Sequence, residues 1–386
     1  MPALVAECLA LRAWTLHVLA GGPPAEIPTS SPSAWAHFLT VERCALPLST
    51  RLAAVGHHTL PVAARAQLDR ATHSELQRVL AARGQLAGID LIASEREWDV
   101  VVLKGAVALG DPRRAVDLAD LDLLTAPDDA RALVAALDAG GYRKAGSSSP
   151  LHLATRATEG ALPIEVHTRL EILNIGSIES LRARSVPMAE TKRLRRLASR
   201  DHLLHLLTHV GVAHPYRRGS IRDLLLLAQA VRECSAREIE EARAMIERHR
   251  YATELPRLLD MACGLAAEQG LVVDEFRYPS GAVYAVIWWD LRLPLPQLLK
   301  ADIGMWAIAL LRGRGDVETE WAKVTMRTLG PSFAGPIARV ERTMPRVGRM
   351  VRVISRLIRV AVAMLFAVPL ALLAGYEARR AIRALG

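Results

Sequence analysis

Residues Val101–Thr125 read VVLKGAVALGDPRRAVDLADLDLLT. An apolar run ends at Lys104-Gly105, and an arginine pair, Arg113-Arg114, follows. The chain then returns as Asp120-Leu121-Asp122 inside a second apolar run. Alternate residues of a strand point to one face, so Asp120 and Asp122 project together, away from Leu121 and Leu123. Two carboxylates this close repel unless a positive charge sits between them. A hard cation such as Mg²⁺ answers that need, because it takes oxygen ligands and leaves room for phosphates. Lys104, Arg113 and Arg114 suit phosphate oxygens. The stretch therefore points to metal-assisted phosphoryl chemistry.

Glu165 lies about forty residues further on, in the alternating run IEVHTRL. Glu165 and His167 share one face of that strand, with Ile164 and Val166 on the other. A third carboxylate beside an Asp-x-Asp pair makes a cage in which two cations can activate an attacking oxygen and neutralise a leaving pyrophosphate. Acids alternating with apolar residues are costly in a strand without a partner.

These residues carry a resemblance. Leu103-Lys104-Gly105, then Arg114, Asp120-Leu121-Asp122-Leu123-Leu124, Gly141-Tyr142 and Glu165-Val166-His167 together resemble the bacterial uncharacterised nucleotidyltransferase family. That family belongs to the DNA polymerase β-like superfamily. Leu204-His205-Leu206-Leu207-Thr208-His209 followed by Asp223-Leu224 extends the resemblance, which covers roughly residues 75–230. It implies a small mixed sheet flanked by helices. It implies transfer of a nucleoside monophosphate from an NTP, with Mg²⁺ or Mn²⁺ held by Asp120, Asp122 and Glu165. Lys104, Gly105 and Arg114 would meet the triphosphate, and His167 the substrate. The acceptor stays open between small molecule, peptide, protein and RNA. Arg114 stands six residues before Asp120, where the family usually has four, and Asp117 adds an acid able to pair with Arg113 or Arg114. The Lys-Gly pair also resembles abortive-infection nucleotidyltransferase toxins, which implies a tRNA-directed alternative. A non-catalytic nucleotide sensor or partner-binding protein at the membrane is the other alternative.

Of the 386 residues, 51% are hydrophobic but only 4% aromatic, so Ala, Leu and Val build the core and close-packed helices are favoured. The formal charge of +9 suits phosphates or an anionic membrane surface as well as a generally arginine-rich composition. Four scattered cysteines without a C-x-x-C pair argue against a zinc site or a disulfide framework and fit a reducing cytoplasm. The N-terminus is apolar but interrupted by Glu7, Arg12 and His17, which reads as an amphipathic helix and not a signal peptide.

The expected class is α+β, mostly helical, around a small mixed sheet. The expected division is a helical region at 1–74, a nucleotidyltransferase core at 75–175, a helical domain at 176–345 and a basic, apolar segment at 346–386. Strands are expected at 98–103, 121–125 and 164–168, with further short ones at 142–144 and 152–158. Pro47, Pro61 and Gly84 are expected to break the helices before the first strand. After about Gly176 the pattern reads as helical almost throughout. His202, His205, His209 and His214 form a cluster that suits packing between helices with Asp223 as partner. Val360–Tyr376 holds seventeen uncharged residues between arginine clusters. That is the short limit for a spanning helix, and an interfacial or packing helix is the alternative. The larger arginine excess on its N-terminal side predicts a cytoplasmic catalytic region.

Overall fold

A computed structural model describes residues 2–22, 26–56, 60–110, 116–145, 152–170, 177–213, 219–248, 255–268, 281, 283–286, 303, 306–311 and 345–385. The fold is α+β, mostly helical, with one small mixed sheet. Helices α1 (Pro2–Leu19), α2 (Pro32–Glu42), α3 (Ala45–Ala54) and α4 (Val62–Glu95) precede the first strand. Strand β1 (Val100–Val102) leads through a 3-10 turn (Lys104–Gly110) to β2 (Leu121–Leu124) and helix α5 (Pro127–Ala139). Then come β3 (Arg143–Lys144), β4 (Arg156–Ala157), β5 (Ile164–His167), α6 (Ile178–Arg184), β6 (Val186–Pro187) and β7 (Leu194–Arg196). Helices α7 (Ser199–Thr208), α8 (Ile221–Arg232), α9 (Ala236–Glu247), α10 (Leu255–Ala266) and α11 (Pro345–Leu385) follow.

The seven strands run in the order β3-β4-β5-β2-β1-β7-β6. β1 pairs antiparallel with β2, while β2 and β5 are parallel. Val100, Val102, Leu121, Leu123, Ile164 and Val166 pack on one face with apolar residues of α4 and α5. Val101, Leu103 and Leu124 turn the other way, onto Leu181 of α6 and Leu197. Strand alternation therefore sends Asp122, Glu165 and His167 to the α6 side.

Two expectations are corrected. Gly84 does not break α4, a helix of 34 residues. A Cβ there, or at Gly88, would meet nothing within 4 Å, so both sit on a free outer face. Glycine in a helix costs only about 0.5–1 kcal/mol, which a long packed helix absorbs. Nor is the region after Gly176 wholly helical. β7 pairs in parallel with β1 along Val100–Val102, and β6 closes the edge against β7. Asp90 of α4 anchors this return by accepting from the backbone N–H groups of Lys192, Arg193 and Leu194.

The helical body packs α1 on α2, α3 and α11, and α8 on α7 and α10. At its centre Arg12 donates to Glu42 at 2.8 Å and to the Gly219 carbonyl at 2.6 Å. Glu42 also accepts from the Ile221 N–H at 2.6 Å and from the Tyr284 hydroxyl. This buried network ties α1, α2 and the start of α8 together.

Candidate active site

Register builds the site. Asp122 lies opposite Glu165, and Leu124 opposite His167, across the parallel β2–β5 pair. Adjacent strands are about 4.8 Å apart, so the two carboxylates are neighbours. One ligand atom each from Asp122, Glu165 and His167 lies within 4.8 Å of the others. His167 Nε2 is 2.7 Å from Asp122 Oδ1 and 3.8 Å from Glu165 Oε2. Asp122 is 2% exposed and His167 7%, while Glu165 opens toward solvent.

Lys104 leaves β1 with φ +54°, a left-handed conformation that is rare for a side-chain-bearing residue. The kink aims its ammonium at Asp122 Oδ1, 2.7 Å away. Burial acts to lower the lysine's pKa, but Asp122 and Asp120 outweigh it and the net shift is upward. Burial likewise acts to raise Asp122, yet Lys104 and His167 hold its carboxyl well below the usual range. Asp120 goes the other way. Its burial and the repulsion from Asp122 raise it, with Lys104 and Arg222 offsetting part of the effect. The pair is thus split, with one firmly ionised carboxylate and one that holds its proton longer.

Asp120 stands one residue before β2 and is not in the tight trio of ligand atoms. Arg114 lies outside the described residues, as does Arg113. Gly105 is brought beside the site, but its missing side chain faces inward. A Cβ there would come 2.7 Å from Leu118 Cδ2 and 3.6 Å from Leu226 Cδ1. A side chain there would have to displace the tip of Leu118. Asp117 is fully buried and accepts from Arg43 Nε at 2.5 Å and Arg78 Nε at 2.6 Å; Arg113 and Arg114, the partners expected for it, lie outside the described residues. Asp117 locks the approach to β2 onto α4.

Sequence reasoning missed Thr155 and His152. Thr155 donates to Glu165 Oε1 at 3.3 Å. His152 Nε2 lies 3.9 Å from Glu165 Oε2, and its ring centroid is 5.3 Å from that of His167. The bridge between His152 and His167 places them there. The alternating strand pattern over 152–158 was the available signal. His202 and His205 are buried, and Asp223 is not the partner expected for them. Both ring nitrogens of His202, and Nε2 of His205, have no hydrogen-bond partner among the described residues. Burial lowers the His202 pKa to about 4. The Asp223 carboxylate instead lies 3.7 Å from Arg222 Nε. His214 is outside the described residues.

The family of uncharacterised nucleotidyltransferases matches residues 31–268, more than half of the chain. The chain belongs to that family. The match begins at α2 and ends just beyond α10, so the helices on both sides of the sheet are part of the family's unit. No curated protein and no solved structure matches this chain.

Proposed function

We propose that this nucleotidyltransferase moves a nucleoside monophosphate from an NTP to an acceptor hydroxyl, releasing pyrophosphate. The observation that carries the reading is the meeting of Asp122, Glu165 and His167 on one face with Lys104 buried against Asp122. The donor set fits divalent metal, since two carboxylates and an imidazole converge on one point. Bound there, such a cation would polarise the phosphoryl oxygens and stabilise the leaving pyrophosphate, and a second held with Asp120 would complete a two-metal centre.

The protein's own groups do the rest. Asp122 stays ionised at neutral pH and presents its charge without rearrangement. Glu165, oriented by Thr155 and partly open to solvent, is placed to draw the proton from an incoming hydroxyl. Lys104 is a cation already stationed at the carboxylate, and on NTP binding its ammonium pairs with triphosphate oxygens. The test is incubation with each α-labelled NTP and Mg²⁺ or Mn²⁺ in lysate, followed by identification of the labelled product. That product also names the acceptor class. Absence of label with all NTPs, or equal labelling by Asp122→Asn, overturns the reading.

We also propose that α11 holds the catalytic body on the cytoplasmic face of a membrane. Among the described residues, two helices are long and apolar enough to cross a bilayer, Pro2–Leu19 and Val360–Arg383. The first is a core helix here, because it buries Arg12 against Glu42. The second packs one face on the body and leaves Leu365, Leu372 and Tyr376 exposed on the other. That pattern supports a helix lying in the interface more than one crossing it.

A further inference from the structure

We propose that His167 is a metal ligand through Nε2, making a mixed oxygen–nitrogen centre that takes Mn²⁺ in preference to Mg²⁺. The inference rests on the nucleotidyltransferase reading above and specifies the cation it uses. Asp120, the third carboxylate expected, lies outside the tightest group of ligand atoms. The three atoms that do converge are two carboxylate oxygens and one imidazole nitrogen.

The nitrogen is directed into the cluster. Nε2 lies 2.7 Å from one carboxylate and 3.8 Å from the other, so it faces the point the acids share. The strand holds it there, since His167 sits on β5 with its backbone carbonyl accepting from the Thr125 N–H. The ring is buried, so its orientation is fixed by packing. In the tautomer with hydrogen on Nδ1, the Nε2 lone pair is available to a cation. Mg²⁺ demands near-octahedral oxygen coordination. Imidazole suits first-row transition metals better than Mg²⁺, and among them Mn²⁺ shares the Mg²⁺ preference for carboxylate and water oxygens in octahedral geometry. A purely structural His167 would donate to Asp122 and leave cation choice to the carboxylates.

The two roles separate by pulsed EPR on the full-length protein with Mn²⁺ alone. Direct ligation gives ¹⁴N modulation that changes on ¹⁵N-histidine labelling, a readout that needs no variant. It should vanish in His167→Gln and persist in His152→Gln. Calorimetry should show Mn²⁺ binding about tenfold or more tighter than Mg²⁺, with the ratio falling toward one in His167→Gln. Bound Mn²⁺ without nitrogen coupling, or equal affinity for the two cations, overturns the inference while label transfer still stands. A wild-type protein that binds neither cation and transfers no label overturns both.

Discussion

Asp122 Oδ1 lies 2.7 Å from both Lys104 Nζ and His167 Nε2. Removing its charge therefore has two consequences. Asp122→Asn should lower transfer by about a thousandfold, since Lewis-acid stabilisation is worth several kcal/mol. It should also destabilise the fold by about 3–5 kcal/mol, because a buried ammonium loses its partner. Asp122→Asn with Lys104→Met should regain most of that stability and none of the activity. A double variant no more stable than the single one, by denaturant unfolding, would refute the coupling. Lys104→Ala alone should weaken NTP binding, and an unchanged NTP affinity would leave the lysine a structural counter-ion. At this scale the sequence was informative about Glu165 and His167, which alternation places on one face of a strand, but the parallel β2–β5 register is what sets Asp122 beside Glu165. It did not reveal that Lys104 touches Asp122 or that Asp117 binds Arg43 and Arg78. The lysine's contact depends on a left-handed turn, and Asp117's partners lie 74 and 39 residues away in the chain.

Among the elements, α3 begins at Cys44, which provides no side-chain cap. Glu75 of α4 supplies the missing acceptor, taking the N–H groups of Ala45 at 3.0 Å and Leu46 at 2.7 Å. Burial pushes its carboxyl up to about 7, with Asp117 adding to the rise and the two backbone N–H groups and Arg78 opposing it. A carboxyl raised in the folded state contributes stability that is full below its unfolded value of 4.5 and is lost as pH rises through about 7. The wild type should thus lose up to about 3 kcal/mol relative to Glu75→Gln between pH 5 and pH 8. Parallel stability curves for the two proteins across that range would reject the argument. The strands show why some elements were legible and others not. β1, β2 and β5 are apolar enough to be read as strands. β6 and β7 span two and three residues and carry Pro187, Arg195 and Arg196. β7 is held by backbone bonds to β1 and by Asp90 of α4, and β6 pairs only with β7, which no local pattern announces.

For the whole molecule, the decisive arrangement is the two-sided helix α11. Ala363, Ala367, Ala374, Ala378 and Ala381 are buried, and this small-residue face lets α11 lie closely on α1. Gly281 fills the join, since a Cβ there would reach Leu9 Cδ1 at 3.3 Å and Ala378 Cβ at 3.5 Å. The opposite face exposes Ile354, Ile358, Leu365, Leu372 and Tyr376, spaced to form one stripe. Arg379, Arg380 and Arg383 are exposed at its end. An apolar stripe beside arginines fits an anionic bilayer surface, each arginine adding about 1 kcal/mol. Crossing the bilayer would require α11 to leave α1 or to drag its buried Arg12–Glu42 pair into lipid, and both are costly. Full-length protein should therefore co-sediment with anionic vesicles and bind neutral ones weakly. Salt and alkaline wash should release it. Leu365→Asp with Leu372→Asp should abolish binding without unfolding the body, because both side chains point outward. Point variants are the sharper test, since deleting α11 would uncover α1. Resistance to alkaline wash would establish a spanning helix instead. Vesicle-independent dimerisation lost in the same double variant, seen by light scattering, would show that a second copy covers the stripe and that the membrane reading is wrong.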